Sequence, residues 1–219
     1  TCWTCHRGQP VPANVWFTEP AHRAAGGATA ESKGQNHPSV QAGLTSLGLD
    51  PLTPYLLNNV PIRAAGTTAL PTGNKASIQQ TEGTFGLMVH MSKALGVNCT
   101  HCHNTRSHAD WAGSPPQRTQ AFHGIQMARE LNNAYMVPLT TTFPANRLGA
   151  LGDVAKVSCT TCHQGLNKPL KGVPMLKDHP ALAGPWGAAA VAAAAVPLAA
   201  EPAAALSGPL GRILFEVGK

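Results

Sequence analysis

All six cysteines of the chain stand in pairs of one spacing, and a histidine closes each pair: Cys2, Cys5 and His6; Cys99, Cys102 and His103; Cys159, Cys162 and His163. This C-x-x-C-H run is the attachment pattern of c-type haem. The order follows from the chemistry. Two thiols on one turn each form a thioether with a haem vinyl group, and the next residue projects its imidazole at the iron. Three covalent haems are therefore expected, with His6, His103 and His163 as axial ligands.

The other uses of paired cysteines fit less well. Two pairs make a four-cysteine zinc site, but a third pair is then unmatched, and zinc gives no reason for a histidine after each pair. A thioredoxin-like redox pair is not expected three times without a βαβ pattern. Disulfides suit an exported chain yet leave the histidines unexplained.

Haem also accounts for an odd composition. The chain has 219 residues, enough for a core, but only 5% are aromatic and 12% charged. Large apolar discs would occupy volume that rings usually fill. The formal charge of +6 falls to about +3 with ferric haems, or about 0 with ferrous ones, once ionised propionates are counted. The bare charge is thus a poor guide to partners, and its scatter gives no nucleic-acid-binding stripe. The sequence opens on TCWTCH with no visible signal peptide, although covalent haem attachment implies export. No run reads as a membrane span: Gly187 to Val196 is nearly all Ala and is followed by Pro197, Glu201 and Pro202.

With 22 Gly and 19 Pro the chain is expected to be rich in loops. The stretch from RGQPVPANVWF to about Lys75 reads as extended or irregular, with a short helix near Pro54 to Asn59. From Thr84, Phe85, Met88, Met91 (or Ser92) and Leu95 recur at helical spacing, and Gly96 stands where a helix stops. A second helix is expected over about Gln117 to Met136, with a stripe of Ala121, Ile125, Ala128, Leu131 and Tyr135, and Pro138 beyond it. The second and third motifs thus share a plan of amphipathic helix, turn and haem-binding turn. The fold expected is mainly α and loop-rich, with helix–turn–CxxCH units packed around haems. Residues 1–180 form the multihaem domain, and 181–219 an Ala/Pro-rich flexible tail.

The sixth iron ligand separates small-ligand chemistry from electron transfer. Met88 and Met91 share a helical face just ahead of Cys99, so one of them is favoured as the ligand of the second haem, although methionine on such a face is more often plain core. His90 falls on roughly the opposite side and is expected to be exposed, and His101 to point outward from the motif loop. For the third haem, His123, Met127 and Met136 are upstream but read as core or surface. Nothing upstream of Cys2 is available to the first.

The stretches TCWTCHRGQPVP, LGLDPLTPYL to TTALPTG, FGLMVHMSKALGVNCTHCHN, SPPQR, HGIQMARELNNAYMVPL, FPANRLG and CTTCHQGLNKPL followed by LKDHP resemble the cytochrome c subunit of purple bacterial photosynthetic reaction centres. The resemblance covers residues 1–180. That family usually holds four haems, and the chain begins at its second motif. The resemblance therefore implies an upstream segment with a fourth C-x-x-C-H, a Met ligand and a His ligand. It matches Met88 to the Met ligand of the family's third haem, nearest the special pair of bacteriochlorophylls, and leaves Met91 as a packing neighbour. It matches Arg118 of SPPQR to an arginine beside that haem, whose charge would disfavour ferric iron and raise the potential.

The same resemblance implies an electron-transfer subunit, not an enzyme, on the periplasmic face of the photosynthetic inner membrane. It would meet the membrane surface through the complex. Its partners would be the reaction-centre L and M subunits and a soluble periplasmic donor, either a cytochrome c or a high-potential iron–sulfur protein, with no nucleic acid. Two rivals exist: a multihaem redox enzyme of the nitrite-reductase kind, with an open haem face, and a free soluble multihaem carrier. The long match around Met88 and Arg118 speaks against both.

Overall fold

The computed structural model describes residues 2–20, 37–47, 50–64 and 76–174. The Ala/Pro-rich segment from Ala181 lies outside them. In chain order come α1 (Cys2–His6), a two-stranded antiparallel hairpin of β1 (His37–Ser39) and β2 (Leu44–Leu47), α2 (Thr53–Leu56), α3 (Ile78–Leu95), α4 (Gln117–Glu130) and α5 (Cys159–His163). The mainly helical, loop-rich class holds, and the hairpin is an addition that the sequence pattern did not mark. No helix among the described residues is long and apolar enough to cross a membrane.

The longest helix, α3, has a defined beginning and end. The Ser77 hydroxyl accepts from the Gln80 amide at 3.2 Å, while the Gln80 side-chain oxygen accepts from the Ser77 amide at 3.0 Å. These reciprocal bonds satisfy two groups that a helix start leaves open. The helix thus begins six residues before the expected Thr84. It ends at Gly96, whose φ of +64° is the left-handed conformation that glycine adopts without a Cβ penalty. A Cβ at Gly96 would also overlap the carbonyl oxygen of Gly165. Gly165 in turn donates its amide to the Ala94 carbonyl at 2.7 Å. The end of α3 and the turn after α5 are therefore joined backbone to backbone.

The buried face of α3 is Gly86, Leu87, His90, Met91 and Ala94; of the expected stripe Met91 is buried, while Phe85, Met88 and Leu95 are not. Phe85 is 54% exposed. The hairpin explains the rotation: β2 packs on α3, and the turn at Gln41 presents its carbonyl to His90 Nδ1 at 2.9 Å. His90, expected to be exposed, is instead 3% exposed. Leu87 and Met91 join Trp16, Leu52, Tyr55, Leu56, Ile125 and Ala128 in one apolar cluster, with Met88 and Cys159 packed at its edge. Burying each of the Leu, Ile and Met side chains among them contributes about 1.5–3 kcal/mol.

Beyond Glu130 the helix of α4 widens into a π segment, Leu131–Met136. The extra residue per turn changes which side chains face inward. Ile125 and Ala128 are buried as the stripe requires, but Tyr135 is 63% exposed and Asn132 takes the inward place with no exposure. Its amide donates to the carbonyls of Leu56 at 3.1 Å and Val157 at 2.9 Å, and its oxygen accepts the Val157 amide at 2.8 Å. One side chain thus ties α2, the π segment and the approach to α5.

The approach to α5 is also paired with the segment that follows α1. Trp16 and Lys156 exchange backbone hydrogen bonds at 2.9 and 2.8 Å, and the Lys156 ammonium sits 4.6 Å from the Trp16 ring centroid while ion-paired with Asp153. Burial pushes the Asp153 carboxyl up, but hydrogen bonds from Lys156 and Thr18 outweigh it and hold the group below the usual carboxylate range. The unfolded chain, with an ordinary value of about 3.9, binds that proton first as pH falls. Asp153 therefore adds stability above about pH 3.9 that is lost as pH drops through its depressed folded value. Unfolding measured against pH should show a shallower acid limb in Asp153→Asn than in the parent.

Candidate functional site

The three C-x-x-C-H runs fold as three short turns. In α1 and α5 the two cysteines lie one helical turn apart, and the chain then reverses through two residues of positive φ: Arg7 (47°) and Gly8 (81°) after the first, Gln164 (51°) and Gly165 (82°) after the second. The reversal brings a backbone carbonyl under each imidazole. His6 Nδ1 lies 3.0 Å from the Gln9 oxygen, and His163 Nδ1 lies 3.0 Å from the Leu166 oxygen. Ser158 starts α5 with a reciprocal cap, accepting from the Thr161 backbone while its own amide donates to Thr161 Oγ1 at 2.9 Å.

The second motif is built differently. Cys99–His101 is a 3-10 turn, Cys102 and His103 follow it, and the oxygen facing His103 Nδ1 belongs to His108, five residues on, at 3.0 Å. The His103 and His108 rings are stacked, with centroids 3.9 Å apart and planes 3° from parallel. Burial lowers the His103 pKa against the effect of that hydrogen bond.

A carbonyl oxygen can only accept, so each Nδ1 atom carries a proton, and the neutral tautomer this selects has its Nε2 lone pair free for a metal. Fixing the tautomer from behind in this way is what a metal-binding histidine requires. The thiols fit the same use. All six are free, with Cys2 and Cys99 exposed and the others half-buried. No three His, Cys, Asp or Glu side chains among the described residues converge to hold a single metal ion. A depression of about 490 Å³ opens beside His103, Ala112 and Pro115. Trp3 and Phe85 are about half exposed, as expected of side chains that pack on a flat apolar group.

Two motifs meet directly. Cys5 Sγ and Cys162 Sγ are 3.1 Å apart, and the Arg7 guanidinium donates to the Cys162 carbonyl at 2.9 Å. The hydrogen bond from Cys162 pulls the Cys5 thiol down to about 6 and holds the Cys162 proton in place. Burial pushes Cys159 up to about 11.

Arg118 lies in the first turn of α4 and reaches back over the second motif. Its Nη1 donates to the Asp110 carbonyl at 2.7 Å and to Ser114 Oγ at 2.6 Å, and lies 3.4 Å from the His108 carbonyl. Its guanidinium carbon sits 4.9 Å from the Trp111 ring centroid. Burial pushes the Cys102 thiol up and the Arg118 charge partly offsets it, so the cation acts on the motif itself. Met88 is half-buried on α3, on the flank turned away from Ala94 and His90. His101 and Met136 are half-buried, while His123 and Met127 are exposed. Sequence reasoning missed His108 altogether. Only its distance from the cysteines, inside a loop, could have marked it, and loop spacing carries no periodicity.

A family model described as photosynthetic reaction centre cytochrome C subunit matches residues 1–183. The chain belongs to that family. Cytochrome c subunits of photosynthetic reaction centres from Rubrivivax gelatinosus, Thermochromatium tepidum and Roseobacter denitrificans are similar to it. The first is 54% identical over 195 residues, covering 89% of this chain and 53% of the relative. The second is 48% identical over 182 residues (83% and 45%), and the third 40% over 190 residues (83% and 50%). The chain thus spans about half the length of these curated relatives. A cytochrome c family implies covalently bound c-type haem, and the thiols, tautomers and uncovered apolar faces of this reaction-centre cytochrome chain fit that group.

Proposed function

We propose that the chain relays single electrons through haems held at its three C-x-x-C-H turns, toward the photo-oxidised special pair of a photosynthetic reaction centre. The observation that carries this reading is the shared arrangement of His6, His103 and His163, each proton-fixed at Nδ1 by a carbonyl and open at Nε2. Bound haem supplies reversible one-electron iron chemistry. The residues set where that chemistry sits and at what potential. Cys2 and Cys5, Cys99 and Cys102, and Cys159 and Cys162 tether, and the three histidines ligate from one side.

Met88 is the sixth ligand at the second motif in this reading. Its half-buried place on α3 supports that role: it is held by the core at its edge and is not enclosed in it, as Met91 is. Arg118 disfavours ferric iron there by placing a cation beside Cys102. The contact of Cys5 with Cys162 supports placing the first and third groups next to each other. The chain would act at the periplasmic face of the photosynthetic membrane, docked on the L and M subunits. It would take electrons from a soluble cytochrome c or high-potential iron–sulfur protein, and a segment preceding residue 1 would hold a fourth haem.

Flash excitation of membranes holding the full-length protein should bleach the haem α-band on a fast timescale. A reaction centre that is photo-oxidised and re-reduced with no haem oxidation would sink the proposal.

A further inference from the structure

We propose that His108 is a positioning residue for the second motif: its ring, stacked on His103, fixes the plane of the imidazole that ligates the iron there. The inference rests on the haem-site reading above. It starts from a double hold, because one residue contacts His103 twice. The His108 carbonyl accepts Nδ1 at 3.0 Å, and the His108 ring lies parallel at 3.9 Å. A hydrogen bond at Nδ1 alone lets an imidazole rock about the bond axis. A parallel ring at van der Waals distance blocks that motion.

The other two motifs supply the contrast. His6 and His163 find their carbonyls three residues on, within the reversing turn itself, and no ring stacks on either among the described residues. The second motif has no such turn, and its acceptor sits in the loop 104–114. That loop is tied from several sides. Asp110 accepts from the Ala112 amide at 3.0 Å and the Gly113 amide at 3.1 Å, Asn104 Nδ2 donates to the Gly113 carbonyl at 3.3 Å, and Arg118 bonds Asp110 and Ser114. His108 is therefore carried on a braced loop and can hold a neighbour in place.

The plane of an axial imidazole sets the splitting of the iron d orbitals, so electron paramagnetic resonance of the ferric low-spin centre reads it directly. The test uses the full-length protein with His108→Phe, which keeps a flat ring without a titrating group, and His108→Leu, which keeps volume without a ring. Peptide mass spectrometry establishes haem on Cys99 and Cys102, and redox poising isolates the second centre. His108→Phe should keep the parent g values, while His108→Leu should shift and broaden the largest g feature with haem still attached. Loss of haem in His108→Leu alone would show that His108 holds the motif together and not the imidazole plane, and would overturn the proposal. A His108→Leu spectrum identical to the parent, or a His108→Phe spectrum altered as much as that of His108→Leu, would overturn it. Absence of haem from the parent peptide would overturn both this inference and the site reading.

Discussion

Met88→His should leave haem attached to Cys99 and Cys102 and lower its midpoint potential by on the order of 0.1 V or more, since axial ligands and their surroundings move haem potentials over a range of about 0.8 V. A thioether is a weak donor that favours ferrous iron, whereas a second imidazole stabilises ferric iron. Attachment should be unaffected because Cys99, Cys102 and His103 lie on a separate turn from Met88. Redox titration of the α-band in the full-length protein measures the shift. Met91→Leu is the control. Met91 is 8% exposed and belongs to the apolar cluster, so this swap should cost below about 1.5 kcal/mol of stability and leave the potential unmoved. An unmoved potential in Met88→His would transfer the ligand role to Met91 or elsewhere.

The largest stability effect is expected at Asn132. Asn132→Ala removes the partners of three buried backbone groups: the Leu56 carbonyl, and the amide and carbonyl of Val157. The Val157 carbonyl keeps the Trp16 indole at 3.1 Å, so two groups are left with nothing. Each orphaned group costs about 1–3 kcal/mol, and the cavity adds to that. A loss of about 3–5 kcal/mol is expected, read as a fall in the denaturation midpoint with unchanged slope. Asn132→Asp should be no better, because its carboxylate would face two carbonyls in place of an amide that donates to them. A loss below about 1 kcal/mol in Asn132→Ala would show that the π segment is held by its other contacts.

Much of the site is legible in the chain itself because covalent haem attachment is a local pattern. Two thiols and an imidazole within five residues do not depend on anything distant, so Cys2 to His6, Cys99 to His103 and Cys159 to His163 stand out as candidate attachment turns without any tertiary information. Helix α4 and the stop at Gly96 were legible for a related reason, since periodicity and a left-handed cap are local. The errors came where a distant element decided burial. His90 faces the polar side of an isolated α3, but the hairpin turn at Gln41 covers it. Tyr135 fits the stripe of an ideal helix, but the π segment rotates Asn132 inward. His108 has no periodic neighbour, and only the closure of loop 104–114 brings it to His103. Membership of the reaction-centre cytochrome family was legible because its long stretches surround all three motifs.

The junction between Gly96 and Gly165 bears on how such a relay tolerates change. The second motif starts only three residues beyond Gly96, and the third ends two residues before Gly165. The hydrogen bond from Gly165 to Ala94 therefore joins two of the C-x-x-C-H turns through main chain. Electron tunnelling falls steeply with distance, and distances set by main chain shift far less than those set by side-chain packing. In the proposed relay, the separation of these two turns would therefore depend on this junction more than on core side chains such as Leu87 or Ile125. An inserted residue between Leu95 and Cys99 would change that gap at once.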